Sequence, residues 1–245
     1  MSEISGARAV VEVMMEEGVE HVFHLPGSQI IEILDEIYQS PIRQIMTRHE
    51  QGAAFMADGY ARARRGVGVC MSTVGPGAVN LVAGIAASYK AQIPVLAITG
   101  IHDQKILEKD SFHEMDQVGL FRSITKWSAC IHDTEKVPEM MRKAFRVALT
   151  GRRGPVHLAI PSDVSRGTCN FQPSAPNRYR PMELPACSQE ALAQIIGLLK
   201  NARFPVILAG WDVLWSKDRD YLQLLAEALE VPVATMLSSL GAFPY

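Results

Sequence analysis

Apolar residues recur along this chain with two alternating periods. Ala7, Val10, Val11, Met14 and Met15 share one face of a 3.6-residue repeat, with Ser5 placed to cap it and Gly18 to stop it, and this spacing predicts a helix. The short apolar run HVFHL follows and breaks at Pro26-Gly27. Ser28 is then placed to cap a second helix that turns Ile30, Ile31, Leu34 and Ile37 inward. The alternation continues with RQIMT as a strand, residues 50–65 as a helix, VGVCMST as a strand and residues 78–90 as a helix. PVLAIT is an uninterrupted apolar run, the pattern of a strand buried on both faces of a parallel sheet. TKWSACI predicts a strand, residues 134–150 a helix ending at Gly151, and PVHLAI a last strand closed by Pro161.

Strands and helices in this order predict an α/β fold, doubly wound, with a mainly parallel six-stranded sheet and helices on both faces. Parallel neighbours need a crossover, and helices make the usual one. Residues 100–122 interrupt the rhythm as one long polar loop, and a loop of that length inside a compact domain is usually functional or mobile. From about 162 to 187 Pro173, Pro176, Pro181 and Pro185 stand among polar residues without a sustained period, which reads as a linker. The expected organisation is therefore a first domain over 1–165, a linker over 166–187 and an incomplete α/β domain over 188–245, whose two strands are too few to close a core.

Composition narrows the function classes. A net charge of −2, with 48% hydrophobic and 20% charged residues, describes a globular protein with no global attraction to nucleic acid or an anionic membrane. Arg62, Arg64 and Arg65 read as the solvated end of a helix. The most apolar stretch, 78–101, is interrupted by Asn80, Lys90, Gln92 and Pro94 and does not read as a membrane span. Cys70, Cys130, Cys169 and Cys187 contain no CxxC pair, so reduced thiols are expected, and the N-terminus lacks a secretory pattern, so the expected location is the cytoplasm.

In open α/β sheets ligands collect beyond the carboxyl ends of the strands. Three turns are predicted there: HLPGS at 24–28, RHEQG at 48–52 and TVGPGAVN at 73–80. No GxGxxG follows the first strand and no GxxxxGK[ST] occurs, so NAD binding is the weaker hypothesis and a P-loop is absent. Glu50 alone could be a helix-start carboxylate stabilised by the exposed amides. Gly52, Ala53, Ala54 and Ala57 after it predict a helix surface thin enough for a flat ring or a second subunit. The cluster His102, Asp103, His113, Glu114, Asp116 has no tidy metal-ligand spacing, and no metal site is expected in this chain.

Four segments in this order, RHEQGAAFMADGYAR, STVGPGAVNLVAGIAASYKAQIPVLAITG, SFHEMDQVGLFRSITKWS and GRRGPVHLAIPSDV, resemble the N-terminal, pyrimidine-binding half of thiamine-diphosphate-dependent enzymes of the acetolactate synthase and 2-oxo-acid decarboxylase family. The resemblance implies that Glu50 hydrogen-bonds N1′ of the cofactor's aminopyrimidine and promotes the tautomer that removes the thiazolium C2 proton. By the same resemblance Pro26 and Gly27 approach the reacting centre, while Thr73, Gly75, Pro76, Gly77 and Asn80 shape the pyrimidine pocket. The resemblance likewise implies that Phe112, His113 and Lys126 face the substrate channel. The sequence departs from the family at His24, where glycine is usual, and at His113, where acetolactate synthases usually carry glutamine. His113 could serve as a proton donor, which would tilt the chemistry toward simple decarboxylation, or could be an exposed loop histidine.

The resemblance further implies thiamine diphosphate with Mg²⁺, the metal held by a GDG-type motif that these 245 residues do not contain. FAD in the second unit, as in some relatives, stays open. The implied partners are a small 2-oxo-acid substrate and either a second copy, in a dimer or tetramer, or a chain carrying the diphosphate-binding domain. Acetolactate-forming carboligation within branched-chain amino acid biosynthesis is the implied activity, with none from this chain alone. A 2-oxo-acid decarboxylase and a non-catalytic interaction module of the same fold are the alternatives.

Overall fold

The computed structural model describes residues 2–181, 187–216 and 219–244. The chain divides into two compact units, residues 1–182 and 183–245.

In the first unit β1 (Ser2–Ser5) leads into α1 (Gly6–Glu16), capped by the Ser5 hydroxyl, which accepts from the Arg8 amide at 3.0 Å. Then come β2 (His21–His24), α2 (Ile31–Tyr38), β3 (Arg43–Met46), α3 (Glu50–Arg64), β4 (Gly68–Ser72), α4 (Pro76–Ala91) and β5 (Val95–Ile101). After the 102–116 loop follow α5 (Gln117–Arg122), β6 (Trp127–Cys130), α6 (Val137–Leu149), β7 (Val156–Pro161), α7 (Ser162–Arg166) and β8 (Thr168–Phe171). Six strands form one sheet in the order β3-β2-β4-β5-β7-β6, parallel at every junction, as the alternation predicts. Every residue of β4, β5 and β7 is buried, so the central strands read as apolar runs and not as alternating ones.

Alternate residues of these strands face different helices. Val69, Met71, Leu96, Ile98, Val156 and Leu158 pack into one core with α1, α2 and α6. The opposite face carries α3, α4 and α5. There a Cβ on Gly68 would overlap the Ala57 carbonyl, and His157 stacks on Phe121 with ring centroids 4.1 Å apart.

Three local expectations change. Ser28 caps nothing: it opens a 3-10 turn, Ser28–Ile30, and its hydroxyl bonds to Gln29 Oε1. Ile31 is 52% exposed and Ile33 takes the inward position, because the 3-10 turn shifts the phase of the helix that follows. The loop at 100–122 closes as α5 from Gln117 onward, where the Asp116 carboxylate accepts from the Gly119 amide at 2.8 Å. Within 162–187, Thr168–Phe171 forms a strand antiparallel to β1, with only Cys169 and Phe171 inward; two buried positions are too few to show a period.

His157 makes the first unit acid-sensitive. The Ser128 hydroxyl donates to the Val118 carbonyl at 2.9 Å, so Ser128 Oγ accepts from His157 Nδ1–H at 2.9 Å, while Nε2 accepts from the Thr99 hydroxyl at 2.8 Å, which fixes a neutral tautomer. Burial pulls its pKa down from 6.5 to about 3. Between those values the unfolded chain binds the proton and the folded one does not, so stability present above pH 6.5 is lost as pH falls. Going from pH 7 to pH 5 is expected to cost about 2 kcal/mol from this group. Urea unfolding at the two pH values checks it, and His157→Gln should flatten the difference.

The second unit contains α8 (Gln189–Asn201), β9 (Ile207–Ala209), α9 (Asp212–Trp215), α10 (Asp220–Leu229) and β10 (Val233–Thr235), with β9 and β10 parallel. None of the α8 residues is buried, and Leu198, Phe204 and Leu208 are exposed.

Candidate functional site

The three turns predicted to meet a ligand do sit at the carboxyl end of the sheet, and they touch one another. Glu50 is the first residue of α3, after the extended His49, whose Nδ1 accepts from the Gln51 amide at 3.1 Å. The Glu50 side chain turns inward, 6% exposed, and its Oε2 accepts from Asn80 Nδ2 at 2.9 Å. Its Oε1 lies 3.2 Å from where a Cβ on Gly77 would stand. A carboxylate buried at the start of a long helix and fixed by an amide donor is held ready to take a hydrogen bond on its second oxygen.

The glycines are required by the protein's own packing. A Cβ on Gly27 would come within 2.6 Å of Thr73 Oγ1, and one on Gly77 within 2.9 Å of Thr73 Cγ2. Gly75 adopts φ 63, ψ −117, and a Cβ there would overlap the His113 carbonyl. Without side chains at 27, 75 and 77, the turn after β2, the turn after β4 and the 102–116 loop close on one another. Pro76 occupies the first turn of α4, where its missing N–H is not needed, and stays exposed, as does Pro26.

Gln29, which the sequence does not single out, and His102, weighed there only as a member of a metal cluster, complete this arrangement. Thr73 donates to Gln29 Oε1 at 2.6 Å; Gln29 Nε2 meets His102 Nδ1 at 3.5 Å; His102 Nε2–H donates to the Phe112 carbonyl at 2.7 Å. This chain of contacts ties the β4 turn to the loop that carries Phe112 and His113. No spacing signal marks Gln29 or His102, which are 73 residues apart.

Phe112 is 78% exposed and stacks on His113, centroids 3.7 Å apart, and His113 has φ 63, a left-handed conformation uncommon outside glycine. Lys126 does not join them. It lies at the amino end of β6, where its Nζ donates to the carbonyls of Val147 and Thr150 and closes the C-terminus of α6. His24 is 4% exposed on the α2 side of the sheet, where among the described residues neither ring nitrogen has a hydrogen-bond partner, and burial lowers its pKa.

The small residues after Glu50 also have a different role from the one expected. Ala53, Ala54 and Ala57 are fully buried within the protomer, and a Cβ on Gly84 would stand 2.5 Å from Ala54 Cβ. They bring α3 close to α4 and to β4, and the outward face of α3 is carried by Phe55 and Met56, 47% and 49% exposed. Of the acidic and histidine cluster, Asp103 pairs with Arg166 and Glu114 accepts from the Glu108 and Ser111 amides. Among the described residues no three side chains are arranged to hold a metal ion, and no helix is long and apolar enough to cross a membrane.

Two family models match this chain. Residues 4–120, which contain Glu50 and all three turns, match the thiamine pyrophosphate enzyme N-terminal TPP binding domain, and residues 192–245 match the thiamine pyrophosphate enzyme central domain. The chain belongs to the thiamine pyrophosphate enzyme family. Among its relatives, the probable acetolactate synthase large subunit of Methanocaldococcus jannaschii is 41% identical, over 98% of this chain and 42% of the relative. That of Methanococcus aeolicus is 39% identical over 97% and 40%, and the acetolactate synthase of Arthrospira platensis is 36% identical over 99% and 43%. The chain thus spans about two fifths of the length of the curated relatives it matches.

Proposed function

We propose that this chain is the pyrimidine-binding portion of an acetolactate synthase-like enzyme that decarboxylates pyruvate and joins the remaining fragment to a second 2-oxo acid. The observation that carries the reading is the inward Glu50 carboxylate, 6% exposed, with one oxygen fixed by Asn80 and the other beside the bare backbone of Gly77. The residues fit thiamine diphosphate: an inward acid and a neighbouring strand-to-helix turn with glycine at 75 and 77 suit a flat heterocycle with a weakly basic ring nitrogen. When bound, the cofactor supplies the carbon nucleophile and the electron sink. Glu50 holds a proton at the pyrimidine N1′, Asn80 keeps the carboxylate from rotating away, and Thr73, Gly75 and Gly77 define the depth of the pocket. Pro26 and Gly27 border the reacting centre, and Phe112 and His113 stand on its substrate side.

Mg²⁺ and the diphosphate belong with a GDG-type segment, supplied by a longer form of this chain or a partner chain. A second copy packing against the exposed Phe55 and Met56 face of α3 would complete a homodimeric site. A cytoplasmic location in branched-chain amino acid biosynthesis goes with this reading.

The purified 245-residue chain with pyruvate, thiamine diphosphate and Mg²⁺ is expected to show no turnover. The complete enzyme should release acetolactate, measured by colorimetric detection of its decarboxylation product. Acetaldehyde as the main product would replace the carboligase reading with the decarboxylase one, and the absence of both would support the non-catalytic module.

A further inference from the structure

Every residue from 102 to 116 keeps some solvent exposure, so the loop after β5 is placed by polar contacts and not by a core. Its start is anchored: the Gln104 amide donates to the Asp163 carboxylate at 3.1 Å, and Asp103 pairs with Arg166. Further along, the bonds run within the loop. The Ser111 hydroxyl donates to the Ile106 carbonyl at 2.9 Å, Lys109 Nζ to the Lys105 carbonyl at 2.6 Å, and the Glu108 and Ser111 amides to Glu114. These bonds shape positions 105–114 without placing them against the sheet.

Among the described residues, one hydrogen bond does that. His102, which follows the last residue of β5, donates from Nε2 to the Phe112 carbonyl at 2.7 Å. Its hydrogen is placed from behind: Thr73 gives its hydroxyl proton to Gln29 Oε1 at 2.6 Å, which turns the Gln29 amide nitrogen toward His102 Nδ1, 3.5 Å away. An amide nitrogen only donates, so Nδ1 accepts and the ring hydrogen sits on Nε2. Gln29 is itself seated by a missing side chain, since a Cβ on Gly100 would stand 2.4 Å from the Gln29 carbonyl oxygen.

We infer that Gln29 and His102 are positioning residues for substrate capture, holding the loop so that Phe112 and His113 meet a 2-oxo acid entering the site. The inference rests on the cofactor reading above. Phe112 is 78% exposed and His113 holds a left-handed φ of 63, so core packing does not place either residue, and such a backbone persists only where its surroundings over-determine it. The bond to the Phe112 carbonyl and the close approach of the His113 carbonyl to Gly75 supply that constraint. Glu50 is fixed separately by Asn80, so losing the bond weakens substrate binding and leaves cofactor activation intact.

In the complete enzyme His102→Leu is expected to raise KM for pyruvate about fivefold, the effect of one lost hydrogen bond, with kcat within about twofold of the parent. His102→Gln, whose amide nitrogen can donate to the same carbonyl, should bring KM back to within about twofold. Gln29→Leu should act in the same direction by about threefold, and the double variant should be no worse than His102→Leu, because Gln29 acts through the histidine. In the 245-residue chain His102→Leu should speed amide exchange at 105–114 while β5 and α6 keep their protection. Additive effects of the two Leu substitutions, no recovery in His102→Gln, or unchanged loop exchange would overturn the inference. A parent that makes acetolactate while both Leu variants leave KM unmoved overturns it alone; a parent inactive on pyruvate removes the cofactor reading and this inference together. Should His102→Leu fail to fold, KM of Gln29→Leu and its loop exchange decide.

Discussion

Glu50→Gln in the complete enzyme is expected to lower turnover by about 10²- to 10⁴-fold, the range that a positioned acid or base contributes. Glutamine preserves the shape of the side chain and can still accept from Asn80, so the thermal unfolding midpoint should stay within about 2 °C. What it removes is the exchangeable proton and the charge. The decisive readout is exchange of the cofactor's C2 proton into D₂O, followed by NMR on the loaded enzyme. A folded variant that exchanges that proton at the parent rate would show that Glu50 is only a helix-start carboxylate. Asn80→Ala should act in the same direction but less, about tenfold, because it frees the carboxylate without removing it.

The second large effect concerns Gly75. Its φ of 63 and ψ of −117 disfavour any L side chain, and a Cβ would overlap the His113 carbonyl and stand 2.7 Å from His113 Cβ. Gly75→Ala therefore combines backbone strain with overpacking and should destabilise the first unit by about 3 kcal/mol or more, read from urea unfolding. If the strain is relieved by displacing the loop, amide exchange over residues 102–116 should accelerate while α1 and α6 keep their protection. Gly59 is the control: it lies within α3, nothing stands within 4 Å of its missing Cβ, and Gly59→Ala should stabilise by about 1 kcal/mol. Equal effects at the two positions would mean that close packing at the β4 turn is not what demands glycine.

Much of this organisation could be read from the amino-acid order because it is set locally. The period of Ala7, Val10, Val11 and Met14, the apolar run at 94–99 and the punctuation at Gly18 and Gly151 each act within one element. Together they predict the parallel sheet that is observed. Ordered motifs around Glu50 and the 75–77 turn also carry the family, since their spacing lies within contiguous segments. Errors arose where a local rule met a competing contact. Ser28 has the right chemistry for a cap, but the chain enters α2 through a 3-10 turn that changes which isoleucine is buried.

The sequence by itself determined the alternation of strand and helix, the family and the acid at the start of the third long helix, because periodicity, capping and motif spacing are properties of neighbouring residues. Only the tertiary structure decided that the alanines after Glu50 pack inside the protomer and that Lys126 closes a helix at the opposite end of the sheet. It also decided that Gln29 and His102 join the β4 turn to the loop. These depend on which distant segments are brought into contact, and the physical reason they were hidden is that a contact between residues far apart in the chain leaves no periodic trace in either segment.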